Sequence, residues 1–127
     1  MTKSLENRIV LVTGASRGIG RAAAKALAAE GAHVIATART VGGLEELDDE
    51  IKSVGGSATL VPLDIKDFEA LDRLGASIFE RWNKLDGFLG NAGVLGVLTP
   101  ISHLQPNAFQ ERLDVNVTAN WRLIRSL

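Results

Sequence analysis

A chain of 127 residues that is 46% apolar and 23% charged is sized for one globular domain with a buried core, and is too short for two. A net charge of -1 leaves no basic field for nucleic acid or anionic membranes, and the lack of cysteine removes disulfides, thiolate metal sites and cysteine nucleophiles. Met1 to Arg8 is polar with no apolar leader, and no apolar stretch reaches the ~20 residues that cross a bilayer, so a cytoplasmic protein acting on a small molecule is expected.

The first apolar run, Arg8 to Thr13, reads as a strand. It leads straight into Gly14-Ala15-Ser16-Arg17-Gly18-Ile19-Gly20 and then an alanine-rich helical pattern. Ile19, Ala22, Ala23, Ala26 and Leu27 share one face of that first helix, which Gly31 can end. A second run spans His33 to Ala38. Leu44, Leu47, Ile51 and Val54 then mark a second helix that stops at Gly55-Gly56. A third strand is expected over Ala58 to Leu63, followed by a helix marked by Phe68, Leu71, Leu74, Ile78 and Trp82 with Asp67 as its N-cap. The fourth strand is Leu85 to Gly90. Asn107 to Leu127 reads as a last helix with Pro106 before it and Phe109, Leu113, Val117, Ile124 and Leu127 on one side, leaving Trp121 and Leu123 off that stripe. His33 and His103 have no carboxylate or histidine at ligand spacing, so neither is read as catalytic and no metal site is expected.

Strands alternating with helices give an α/β fold, a doubly wound parallel sheet in which right-handed crossovers place strand one centrally, two and three to one side and four to the other. Ligand then belongs beyond the C-terminal ends of the strands. The unusual residues all fall there: Gly14 to Gly20 after strand one, Arg39 after two, Asp64 after three and Asn91-Ala92-Gly93 after four. A strand that ends in glycines opening a helix presents converging backbone N–H groups and the positive end of the helix dipole, which hold phosphate without a dedicated lysine.

The spacing is T-G-x-x-x-G-x-G, which differs from G-x-G-x-x-G and from the triphosphatase loop with its lysine. Together with Asn91-Ala92-Gly93 it resembles the short-chain dehydrogenase/reductase family, over the whole chain. The resemblance implies that Gly14, Gly18 and Gly20 allow backbone approach to a pyrophosphate, that Ile19 offers an N–H, and that Ser16 lies near the adenosine phosphates. It implies that Asp64 accepts from the adenine amino group with Ile65 beside the ring. Turn capping is the alternative for Asp64. Asn91, Ala92 and Gly93 would stabilise the sheet and line the riboses, with Gly90 in place of the asparagine that often precedes them. Asn116, three residues after Leu113 and seven after Phe109, is either a satisfied core amide or the family's catalytic asparagine, holding a water in a proton relay.

Proteins of this architecture that prefer NAD put an acid at the end of strand two, where this chain has Ala38 followed by Arg39. Arg39 and Arg17 could converge on a 2′-phosphate, so NADP(H) is favoured over NAD(H) as cofactor. The family's catalytic Tyr-x-x-x-Lys is missing, since the chain has no tyrosine and stops within an apolar helix. The expectation is therefore a dinucleotide-binding domain over residues 1–127, truncated before the catalytic Ser/Tyr/Lys segment and inactive alone, from an oxidoreductase acting on a small carbonyl or secondary alcohol. By resemblance the complete protein forms a homodimer or homotetramer. A non-catalytic NADP(H) sensor is the alternative; a methyltransferase sharing the sheet would want the acid that strand two lacks.

Overall fold

A computed structural model describes residues 4–16, 18–91, 106–107, 110 and 114–126, with backbone alone at 115, 116, 120 and 126. The chain alternates β1 (Ile9–Thr13), α1 (Gly18–Ala29), β2 (His33–Ala38), α2 (Val41–Ser53), β3 (Ser57–Pro62), α3 (Phe68–Trp82) and β4 (Gly87–Gly90). The strands form one parallel sheet in the order β3-β2-β1-β4, as the crossover rule requires. Thr13 pairs with Thr37 on one side and Gly90 on the other, so the C-terminal ends of the central strands lie level. Every residue of β1 is buried.

Alternation along the strands divides the core into two layers. Val10, Val12, Val34 and Ala36 pack with Ala24 and Ala28 of α1 and Leu44, Leu47 and Ile51 of α2. On the opposite face Ile9, Leu11 and Ile35 pack with Leu71, Leu74 and Ile78 of α3 and with Ala119 and Leu123. Of the stripes expected on α2 and α3, Leu44, Leu47, Ile51, Leu71, Leu74 and Ile78 are buried, while Phe68 and Trp82 are half-buried and Val54 is the half-buried C-cap of α2. Asp67 caps α3 as expected, its side chain accepting from the Ala70 N–H at 3.1 Å.

Two helices depart from expectation. In α1 the buried positions are Gly20, Ala24 and Ala28, while Ile19 is 77% exposed and Ala22 and Ala26 are exposed. An alanine-rich helix has nearly equal apolar character all round, so the close fit available at Gly20 decides which side meets the sheet. The last helix is not one α-helical run: Asp114–Thr118 forms a π-helical turn that leads into α4 (Ala119–Ser126). A π turn inserts one residue and shifts every later position round the axis. Leu123, expected off the inward stripe, is fully buried, whereas Val117 and Ile124, expected inside, are 58% and 59% exposed. Phe109, Leu113 and Leu127 lie outside the described residues. Arg122 fixes α4 to α3 through Asp72 at 2.9 Å, and Trp121 remains exposed.

His33 opens β2, at the N-terminal end of the sheet away from the glycine turn. Its ring nitrogens each lie 2.8 Å from a β3 hydroxyl, Ser57 Oγ and Thr59 Oγ1, and Trp82 stacks alongside. Burial, aided by the nearby Arg81, pushes its pKa down, so the neutral ring is favoured.

At the start of β4, Asp86 accepts from the Ile9 N–H at 2.7 Å, with Lys84 and Arg8 close by. The Ile9 N–H above all holds the Asp86 carboxyl below its usual range. The folded protein therefore binds this proton less readily than the unfolded chain. The resulting stability is present above the ordinary carboxylate pKa of about 3.9 and is lost as pH falls through the lower folded value. Asp86→Asn should shrink the difference in urea midpoint between about pH 7 and about pH 3; an undiminished difference would refute the role. Beside Asp86, an apolar groove of about 630 Å³ runs between α1 and β4, lined by Val10, Ala23, Ala26, Leu27 and Phe88.

Candidate functional site

Three backbone segments converge at the C-terminal end of β1. Thr13 is fully buried, and its Oγ1 accepts from the Asn91 N–H at 3.0 Å. Gly14 turns the chain with φ +64°, in the left-handed region that glycine occupies without strain. Its carbonyl accepts from Asn91 Nδ2 at 3.2 Å. A Cβ on Gly20 would lie 2.3 Å from that carbonyl oxygen and 2.6 Å from the same Nδ2. Glycine at 20 is what lets α1 start so close to Gly14 and Asn91.

The neighbouring positions are open. Gly18 has φ +62°, and a Cβ there would meet nothing within 4 Å. No acidic residue stands in the first turn of α1. The first four N–H groups of a helix lack intrahelical partners and carry the positive end of its dipole. Space is open at Gly18, the first residue of α1, whereas the Ala15 N–H is already given to Thr37 O at 3.2 Å. Arg21 contributes little charge to this opening, because it is paired with Glu46 and Glu50 of α2. The donor set fits a diphosphate.

Arg39 follows β2, is exposed, and forms no ion pair among the described residues. Thr40 is the N-cap of α2 without a side-chain cap hydrogen bond, and no acid stands in that helix's first turn either. After β3, Asp64 Oδ1 accepts from the Lys66 N–H at 2.9 Å, and its carbonyl accepts from the Asp67 N–H. Asp64 thus caps a turn while Asp67 caps α3, so one capping role does not displace the other. Ile65 is 8% exposed and packs into the α3 layer, leaving its backbone at the edge.

The structure therefore brings Gly14, Ser16, Gly18, Ile19, Gly20 and Asn91 together, with Arg39 and Asp64 along the same edge of the sheet. Arg17, Ala92, Gly93 and His103 lie outside the described residues. Asn116 falls within the π turn, and only its backbone is described. Thr13, which opens the T-G-x-x-x-G-x-G motif, ties β1 to Asn91. One contributor escaped sequence reasoning: Gly43, where an added Cβ would lie 2.8 Å from Ser16 Cβ, carried no local signal. No metal-binding cluster and no helix long and apolar enough to cross a membrane occur among the described residues.

The profile of short chain dehydrogenases matches residues 8–127. The fatty acyl-CoA reductase of Acinetobacter baylyi is 41% identical over 91 residues, 72% of this chain and 31% of that protein. Among solved structures, a metagenomic short-chain oxidoreductase in complex with NADP superposes with a TM-score of 0.93 at 33% identity, covering 98% of this chain and 56% of that one. An NAD+-bound xylitol dehydrogenase gives 0.90 at 27% identity, covering 98% and 48%. The chain thus spans about half the length of these structures and less of the reductase. With a family match over nearly its whole length and a glycine turn built as described, the chain belongs to the short-chain dehydrogenase family.

Proposed function

We propose that this chain supplies the cofactor-binding half of an oxidoreductase that interconverts a carbonyl and a secondary alcohol, and that it prefers NADP(H) to NAD(H). The observation that carries the preference is Arg39, an exposed cation directly after β2, with Ala38 where an acid would repel a 2′-phosphate. Arg17 is its expected partner. The uncapped first turn of α2, free of acidic residues, favours an anion at the same place. One structural neighbour holds NADP and another NAD+, so likeness alone does not choose between them.

Gly14, Ser16, Gly18, Ile19 and Gly20 form the phosphate-binding turn, Asp64 and Ile65 receive the adenine, and Asn91, Ala92 and Gly93 line the riboses. Bound nicotinamide supplies the hydride chemistry. Asn116 holds a water in the proton relay. Asp64 keeps its second carboxylate oxygen for an amino donor while Oδ1 caps the turn.

A charge-assisted hydrogen bond contributes ~1.5–3 kcal/mol, so Arg39→Ala should weaken NADPH binding roughly ten- to hundredfold and NADH far less. Fluorescence titration with both cofactors reads this directly. Equal losses for the two would refute the preference.

A further inference from the structure

We propose that Gly43 is a positioning residue for the phosphate-binding turn, and that it sets how well the site accepts a cofactor with a 2′-phosphate. The proposal rests on the NADP(H) reading above. Gly42 and Gly43 are adjacent in the first turn of α2, yet their surroundings are opposite. A Cβ on Gly42 would meet nothing within 4 Å. A Cβ on Gly43 would lie 2.8 Å from Ser16 Cβ, 3.2 Å from Thr40 Oγ1 and 3.5 Å from Ser16 O. Both of its neighbours border the candidate site: Ser16 belongs to the glycine turn, and Thr40 follows Arg39.

The Thr40 hydroxyl can rotate aside, but the contact with Ser16 has no cheap relief. Ser16 Cβ is attached directly to the backbone, and the preceding Ala15 is fully buried and bonded to Thr37 O. On the other side, α2 is anchored by buried Leu44, Leu47 and Ile51 and tied to α1 through Arg21, Glu46 and Glu50. A methyl at 43 therefore drives the glycine turn and the Arg39-Thr40 segment apart. The gap it widens is where a 2′-phosphate would lie. The anion-binding start of α1 is fixed separately, by Gly20 against Gly14 O and Asn91 on the β4 side. The damage should thus fall on the 2′-phosphate and largely spare the diphosphate.

The test is titration of the protein with NADPH and with NADH, alongside thermal unfolding without ligand. Gly43→Ala should raise the NADPH Kd roughly tenfold and change that for NADH by less than about twofold, while Gly42→Ala changes neither. Adding Ser16→Gly removes the tightest contact and leaves only the rotatable Thr40 hydroxyl at 3.2 Å, so Ser16→Gly/Gly43→Ala should bind NADPH as well as Ser16→Gly alone. That comparison also serves if Gly43→Ala alone does not fold. Equal losses for both cofactors, no loss for either, or a further loss in the double variant would overturn the proposal. Arg39→Ala, measured in parallel, separates the two ideas. If it spares NADPH the cofactor preference fails; if it costs NADPH while Gly43→Ala does not, only the role of Gly43 falls.

Discussion

Gly20→Ala should be the most damaging single methyl that can be added near the glycine turn, costing about 3 kcal/mol of stability and removing measurable dinucleotide binding. The new Cβ would sit 2.3 Å from Gly14 O, a backbone atom with no room to retreat because Asn91 Nδ2 holds it and would itself be 2.6 Å away. Relief requires α1 to lift from β1, which uncovers Ala24 and Ala28 along the same helix face. Gly18→Ala makes the natural control. It has free space but a left-handed backbone, so its cost is backbone strain of order 1 kcal/mol with no displaced helix. Urea unfolding would rank the two, and a Gly20→Ala protein as stable as wild type would refute the packing account.

Asn91→Asp should follow closely. The substitution is isosteric but replaces a donor by an acceptor, and the carboxylate would face Gly14 O at about the present 3.2 Å. Loss of this hydrogen bond, with a carbonyl left unsatisfied and repelled, costs about 2 kcal/mol. The added negative charge beside the anion-binding turn should also weaken NADPH roughly hundredfold, since a like charge is poorly screened where water is partly excluded. Asn91→Ala removes the bond without the repulsion and should be milder on both counts. The sign with pH is distinctive: protonating the introduced carboxylate would restore a donor, so part of the stability difference from wild type should close on acidification. An aspartate variant that binds as well as the alanine variant would rule out the electrostatic explanation.

The central strands were legible because burial on both faces demands nearly continuous apolar residues, as in Ile9 to Val12 and Val34 to Ala36. The α2 and α3 stripes were legible too, since leucine and isoleucine contrast sharply with the charged residues between them. In α1 that contrast is missing. Ala22, Ala24, Ala26 and Ala28 are identical in sequence, and only contact with Gly14, Asn91 and the sheet selects among them. The last helix misled for a different reason. Counting by 3.6 residues assumes an unbroken period, and the extra residue at Asp114–Thr118 breaks it, carrying Leu123 inward and Ile124 out. The glycine motif announced the tight turn between β1 and α1, but the approach of Ser16 to Gly43 joins residues far apart in the chain and leaves no local pattern.

The apolar furrow along α1 and β4 begins at Leu5, Arg8 and Asp86, by the N-terminal ends of the strands. The candidate nucleotide site lies at the other pole of the same layer. Filling that furrow would leave the mouth of the site unobstructed, so the two regions of the molecule can be altered independently, with β1 and α1 as the covalent struts between them.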